Sequence, residues 1–170
     1  MITSLNVKQN LISAERYIKK LLNEEFFTEN NLMIFHELPY RHDGKKTKRR
    51  EKFEEFLKNN KLELLEAPFI PDSTSFQTAV VCKNGAYVRV KVYEDRLTAC
   101  FEEYFGRVIA VEKNDNPDMR IIGVHMPSKG HSDYAATICW DSLINLYKCF
   151  PKELPVLYLW VTSILMKRAG

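Results

Sequence analysis

Two apolar runs, residues 2–7 (ITSLNV) and 31–36 (NLMIFH), flank an amphipathic stretch. This arrangement restricts the fold more than any other feature of the 170-residue chain. Each run has the length and composition of a buried strand. Between them a helix is expected to open at Ile12-Ser13, with Ser13 as its cap and Ile12 stapled onto Tyr17. Tyr17, Ile18, Leu21 and Leu22 form its apolar stripe. A strand, a helix and a second strand of this kind pair in parallel through a right-handed crossover. Parallel pairing delivers both carboxyl ends to one edge, so Asn6 and Glu37 are expected to emerge side by side.

The rest of the chain extends the pattern. A second helix is expected over 47–59, capped by Thr47, with Phe53, Phe56 and Leu57 inward. In FQTAVVCKNGAYVRVKVYE, two β-rich runs flank Asn84-Gly85, a strong hairpin signal. GRVIAVEKN and MRIIGVHM are joined by DNPD, a turn composition. A last unit of strand 119–125, helix 134–149 and strand 155–160 again implies a parallel pair, with Ala136, Trp140, Leu143, Ile144 and Tyr147 on the helix face. It brings His125 and the residues after Leu159 to one edge. The expected class is α/β or α+β: one mixed sheet with flanking helices.

Composition narrows the setting. Hydrophobic residues make up 45% and charged residues 28%, as in an ordinary globular domain. Cys82, Cys100, Cys139 and Cys149 form no C-x-x-C pair, which argues against zinc and for reduced thiols in a cytoplasmic protein. The start, MITSLNVKQN, lacks the basic and apolar regions of a secretory signal. The apolar stretch Leu154–Met166 is interrupted by Thr162 and Ser163 and falls short of the ~20 residues a membrane span needs. In RHDGKKTKRR, residues 41–50, seven of ten are Arg, Lys or His. Cations there oppose the dipole of the helix they begin. Guidance of nucleic acid along its phosphates is one reason for such a run, a solvated loop the other.

Asn6, Glu37 and His125 are polar residues at the ends of apolar strands, where open sheets place their sites. A carboxylate beside an amide suits a hard, oxygen-seeking cation such as magnesium. An imidazole nearby can move a proton or hold a phosphate. Taken singly, each is commonplace: a salt-bridged Glu, a hydrogen-bonded His, a turn Asn. Their order, in SLNV, IFHELP, FQTAVVCKNG and IGVHMPS, resembles the endonuclease/exonuclease/phosphatase superfamily, the deoxyribonuclease-I-like fold. That family more often has Gln than His before the Glu. The resemblance implies one half of a four-layer α/β sandwich and a hydrolase of phosphodiester bonds, most readily in nucleic acid. It implies that Glu37 binds magnesium, or manganese, and that Asn6 orients the metal or the phosphate. It implies that His125 contacts the scissile phosphate and, more loosely, that Arg107 in FGRVIAVE contacts phosphate.

The departures are as informative. After a strand like PVLYL the family places Gly-Asp-x-Asn, whose Asp orients the nucleophilic water and whose Asn holds phosphate; here Trp160-Val161-Thr162-Ser163 follow. The family's late Asp-His pair has no counterpart either. Reading codons from the third base of Trp160 forces Gly, then permits Asp, Phe and Asn, and later forces Glu from Met166-Lys167. The expectation is a family member truncated after Leu159, residues 160–170 being an out-of-frame or aberrant tail, and a chain inactive by itself. The alternatives are a non-catalytic half-domain that binds phosphate or a partner, and an unrelated α/β protein. A missing half-sheet implies an exposed apolar sheet face, hence a dimer or a complementing chain. No membrane partner is expected.

Overall fold

The computed structural model describes residues 1–7, 10–39, 46–67, 76–90, 108–125, 140–141 and 157–162. In chain order these give β1 (Ile2–Asn6), α1 (Leu11–Asn23), β2 (Leu32–Pro39), α2 (Lys48–Asn59), β3 (Leu62–Glu66), β4 (Phe76–Lys83), β5 (Tyr87–Arg89), β6 (Val108–Lys113), β7 (Asn116–His125) and β8 (Leu157–Thr162). The strands form two four-stranded sheets, ordered β1-β2-β4-β3 and β5-β6-β7-β8. The class is α+β, and the single mixed sheet expected from the sequence is in fact two. Each is mixed: β1 runs parallel to β2 and β7 parallel to β8, while the other pairs are antiparallel.

Alternation along β2 builds two cores. Met33, Phe35 and Leu38 face α1 and α2, joining Leu11, Ala14, Ile18, Leu21, Phe53 and Leu57. Leu32 and Ile34 face the second sheet, joining Val80, Cys82, Ile109, Val111 and Ile121. The first sheet is thus covered by helices on one side and by the second sheet on the other. Among the described residues, both faces of the first sheet carry buried side chains. Among the described residues the exposed large hydrophobics, Met1, Ile12, Val88 and Trp140, are scattered along the chain. No helix among them is long and apolar enough to cross a membrane.

The helix α1 starts earlier than expected. Asn10 is its N-cap, accepting a hydrogen bond from the Ser13 backbone N–H at 3.1 Å. Ser13 is therefore inside the first turn, and Ile12 is left 58% exposed instead of stapled to Tyr17. The earlier start places Leu11 and Ala14 in the core. Replacing Asn10 by Ala is expected to lower stability by about 1 kcal/mol in urea unfolding, the usual worth of a cap. The cap of α2 is Thr47, as its sequence predicts, accepting from the Arg50 N–H at 3.2 Å.

The Asn84-Gly85 turn is not a hairpin. Ala86 N–H does bond to the Lys83 carbonyl at 3.0 Å. Yet β4 pairs with β2 and β3, whereas β5 pairs with β6 in the other sheet. A tight hairpin of the Asn-Gly type needs positive φ at both central residues to match strand twist. Here only Gly85 has it, at +77°, so the flanking strands splay. The turn is instead a bridge between sheets: Glu63 Oε1 accepts the Gly85 N–H at 3.0 Å, and Asn114 Nδ2 donates to the Gly85 carbonyl at 3.2 Å. The β6–β7 hairpin does form, but it turns at Asn114-Asp115, with Asn116 and Pro117 already in β7.

Candidate functional site

Asn6 ends β1, and the parallel register sets it opposite His36 on β2. The strand β2 does not stop at Glu37 as expected; it continues to Pro39 through a register shift between Phe35 and Leu38. Phe35 pairs with Ala79 and Leu38 with Gln77, so His36 and Glu37 together oppose Thr78 alone. This is a bulge of one extra residue. Glu37 takes φ +57°, a left-handed conformation that a non-glycine residue adopts at a cost of about 1–2 kcal/mol.

The bulge has a geometric consequence. In a regular strand consecutive side chains point to opposite faces. His36 continues the side of Leu32 and Ile34, toward the second sheet. The extra residue returns Leu38 to the helix side and releases Glu37 from the alternation. Glu37 Oε1 then accepts a hydrogen bond from Asn6 Nδ2 at 3.0 Å. The same oxygen lies 3.4 Å from Nε2 of His125, the last residue of β7 in the facing sheet. The three residues singled out from the sequence therefore meet, though they come from two sheets and not from one edge of a single sheet. Parallel pairing sets Thr162 of β8 beside His125. The strand β8 thus extends three residues beyond Leu159.

The site is half dry. The His125 side chain is 7% exposed and that of Glu37 is 21% exposed, so the carboxylate reaches solvent while the imidazole is enclosed. His36 is buried, and its ring centroid lies 5.2 Å from that of His125 with the planes tilted by 30°. Burial first, and the neighbouring His125 second, pull the His36 imidazole down to about 3 from its ordinary 6.5. Between those pH values the unfolded chain holds the His36 proton and the folded chain does not. Stability therefore rises with pH through this window and is lost as pH falls below about 6.5, by at most about 1.4 kcal/mol per pH unit. Urea unfolding at successive pH values between 7 and 4 is expected to show this loss, and His36→Gln is expected to flatten it.

Sequence reasoning treated His36 only as a departure from the family's Gln and missed Thr78. The Thr78 hydroxyl is buried opposite the bulge with no hydrogen-bond partner among the described residues. The signal for the bulge was two consecutive polar residues, His-Glu, inside an apolar run. Arg107 lies outside the described residues, as do Cys100, Cys139 and Cys149; Cys82 is buried and free. Of the basic run, residues 41–45 also lie outside them. The remainder is largely neutralised within the chain. Lys46 pairs with Glu54 at 2.6 Å and Arg49 with Glu15 at 2.7 Å. Arg50, 2% exposed, pairs with Glu54 at 2.8 Å and with Glu66. The cost of placing these cations at the start of α2 is offset by the carboxylates they meet, which removes the need for a phosphate ligand as their explanation.

Glu37 and Asn6 offer one carboxylate and one amide. No group of three or more His, Cys, Asp or Glu side chains placed to hold a metal ion occurs among the described residues. The donors that are present are hard oxygens, suited to magnesium, and they leave most of its six positions to water or a ligand's oxygens. In comparisons with known proteins, no protein-family model matches the chain, and no curated protein or solved structure matches it significantly.

Proposed function

We propose that Asn6, Glu37 and His125 are the metal- and phosphate-binding part of a phosphodiester-hydrolysing centre of the deoxyribonuclease-I kind, and that the two sheets with their helices are an incomplete four-layer sandwich of that kind. The observation that carries this reading is the meeting of the three residues at one carboxylate oxygen, 3.0 Å from Asn6 Nδ2 and 3.4 Å from His125 Nε2. Glu37 and the Asn6 amide would hold magnesium or manganese. Held there, the cation would supply polarisation of a phosphoryl oxygen and neutralisation of developing charge. His125, enclosed on the facing sheet, donates to a phosphate oxygen, and Arg107 is proposed to add a second cationic contact. Nucleic acid is the proposed substrate class.

A second reading, a phosphate- or partner-binding half-domain without turnover, is favoured by one sequence fact. Trp160-Val161-Thr162-Ser163 stand where that family places Gly-Asp-x-Asn, so the carboxylate that orients the attacking water there has no counterpart at that position. Each such positioned group is typically worth ~10²–10⁴-fold. The 170-residue chain is therefore expected to bind better than it catalyses.

Calorimetric titration with magnesium chloride, followed by inorganic phosphate, tests the site. Weak magnesium binding is expected, lost in Glu37→Gln, with phosphate binding that depends on the magnesium. Tight binding indifferent to Glu37→Gln would put the cation elsewhere. Brisk magnesium-dependent turnover of a DNA or RNA oligonucleotide by this chain would overturn the second reading.

A further inference from the structure

We infer that His36 is a positioning residue for His125, its tilted ring packed beside the His125 ring while Glu37 holds the Nε2 nitrogen. The inference rests on the reading proposed above and names a residue that reading does not use. Consecutive residues of a regular strand cannot both touch one side chain of a facing sheet. On β2 they do: the His36 ring stands 5.2 Å from the His125 ring, and Glu37 Oε1 stands 3.4 Å from its Nε2. The bulge and the left-handed Glu37 backbone make this possible.

His36 itself has little freedom. It is 1% exposed, it is in register with Asn6, and its carbonyl accepts the Val7 N–H at 3.0 Å. These two holds on His125, both from β2, differ in kind. A cation taken up by Glu37 competes for the carboxylate oxygen that faces His125. The ring contact with His36 involves no carboxylate and persists. His36 therefore matters most once the cation is bound, when the Glu37 hold on His125 is weakened and the imidazole has to meet a phosphate oxygen. A flat, buried side chain at position 36 serves this purpose; a small one does not.

The test compares His36→Ala, which removes the platform, with His36→Phe, which keeps a flat ring. Nitrogen-15 NMR of the His125 ring reads its tautomer and its line width, with magnesium chloride and inorganic phosphate as probes. In the unaltered protein and in His36→Phe, His125 is expected to show one tautomer and narrow lines. In His36→Ala it is expected to average between tautomers, and phosphate affinity in saturating magnesium is expected to fall about tenfold while magnesium affinity changes less than about twofold, as for loss of an orienting neighbour. His125 signals unmoved in His36→Ala would overturn the inference. So would a loss equal in His36→Ala and His36→Phe, which marks disrupted packing and not a lost platform. If the unaltered protein binds neither magnesium nor phosphate, the proposed function fails, and the His125 ring signals compared between Glu37→Gln and the Glu37→Gln, His36→Ala double variant, in which the carboxylate hold is removed without any ligand, still decide whether His36 positions it.

Discussion

Gly123→Val is expected to destabilise the fold by about 3 kcal/mol, and Gly123→Ala by about 1 kcal/mol, the range for overpacking a close-packed interior. Strand propensity alone favours Val in a buried strand; packing decides otherwise. Gly123 lies on β7, facing the first sheet. A Cβ there would stand 3.1 and 3.3 Å from two atoms of Ile34 on β2 and 3.2 Å from Ile109 on the neighbouring β6. Ile34 and Ile109 are fully buried, so neither has space to retreat into. Valine adds two further methyl groups to the same gap, and the sheets have to part.

The parting would reach the site. Gly123 precedes His125 by two residues and shares its face of β7, while Ile34 precedes His36 by two on β2. Separation of the sheets here withdraws His125 from Glu37. Urea unfolding is expected to show the loss of stability, and magnesium-dependent phosphate binding is expected to weaken although Gly123 touches no ligand. Ile34→Ala removes both Ile34 atoms that crowd the added Cβ. Combined with Gly123→Ala it is expected to cost less than the sum of the two single changes, the mark of direct contact. Strict additivity would show that the sheets are not in close contact at this point.

Replacing Glu37 is expected to reverse the usual order of Ala and Gly. In a strand Gly is ordinarily the less stable by roughly 0.5–1 kcal/mol. Glu37 has φ +57°. Alanine inherits that strain and loses the Asn6 hydrogen bond; glycine loses the same bond and relaxes the backbone. Glu37→Gly is therefore expected to be more stable than Glu37→Ala by about 1 kcal/mol, while both abolish magnesium binding. Equal stabilities, or Ala above Gly, would mean that the bulge relaxes when the carboxylate is removed and that Glu37 itself imposes the turn. The expected order places the strain in the fold, with the carboxylate presented at its expense.

The amino-acid sequence by itself determined those features that depend on local periodicity and on the parallel pairing of strands joined by a long connection. The parallel β1–β2 pair follows from two apolar runs around an amphipathic helix; β7 and β8 also pair in parallel as expected, while of the helix expected over 134–149 all but residues 140–141 lies outside the described residues. Thr47 was legible as a cap because a cap acts within one turn of itself. The nearness of Asn6 to the His36-Glu37 stretch followed from parallel pairing, whereas the bond between Asn6 and Glu37 depends on the bulge. The partner of His125 was not legible, since it lies across a gap between sheets and no spacing rule connects residues 37 and 125. Only the tertiary structure decided that Asn84-Gly85 leads the chain from one sheet to the other. The dipeptide sets a turn, but the strands' outward pairing sets where each strand goes. Only the tertiary structure revealed the bulge at His36-Glu37, because an extra residue appears only against a partner strand that lacks it. It alone showed that Arg49 and Arg50, read as an open basic run, are answered by Glu15, Glu54 and Glu66. Charge in a sequence is a sum over residues, whereas the field a ligand meets depends on which carboxylates the packing brings within reach.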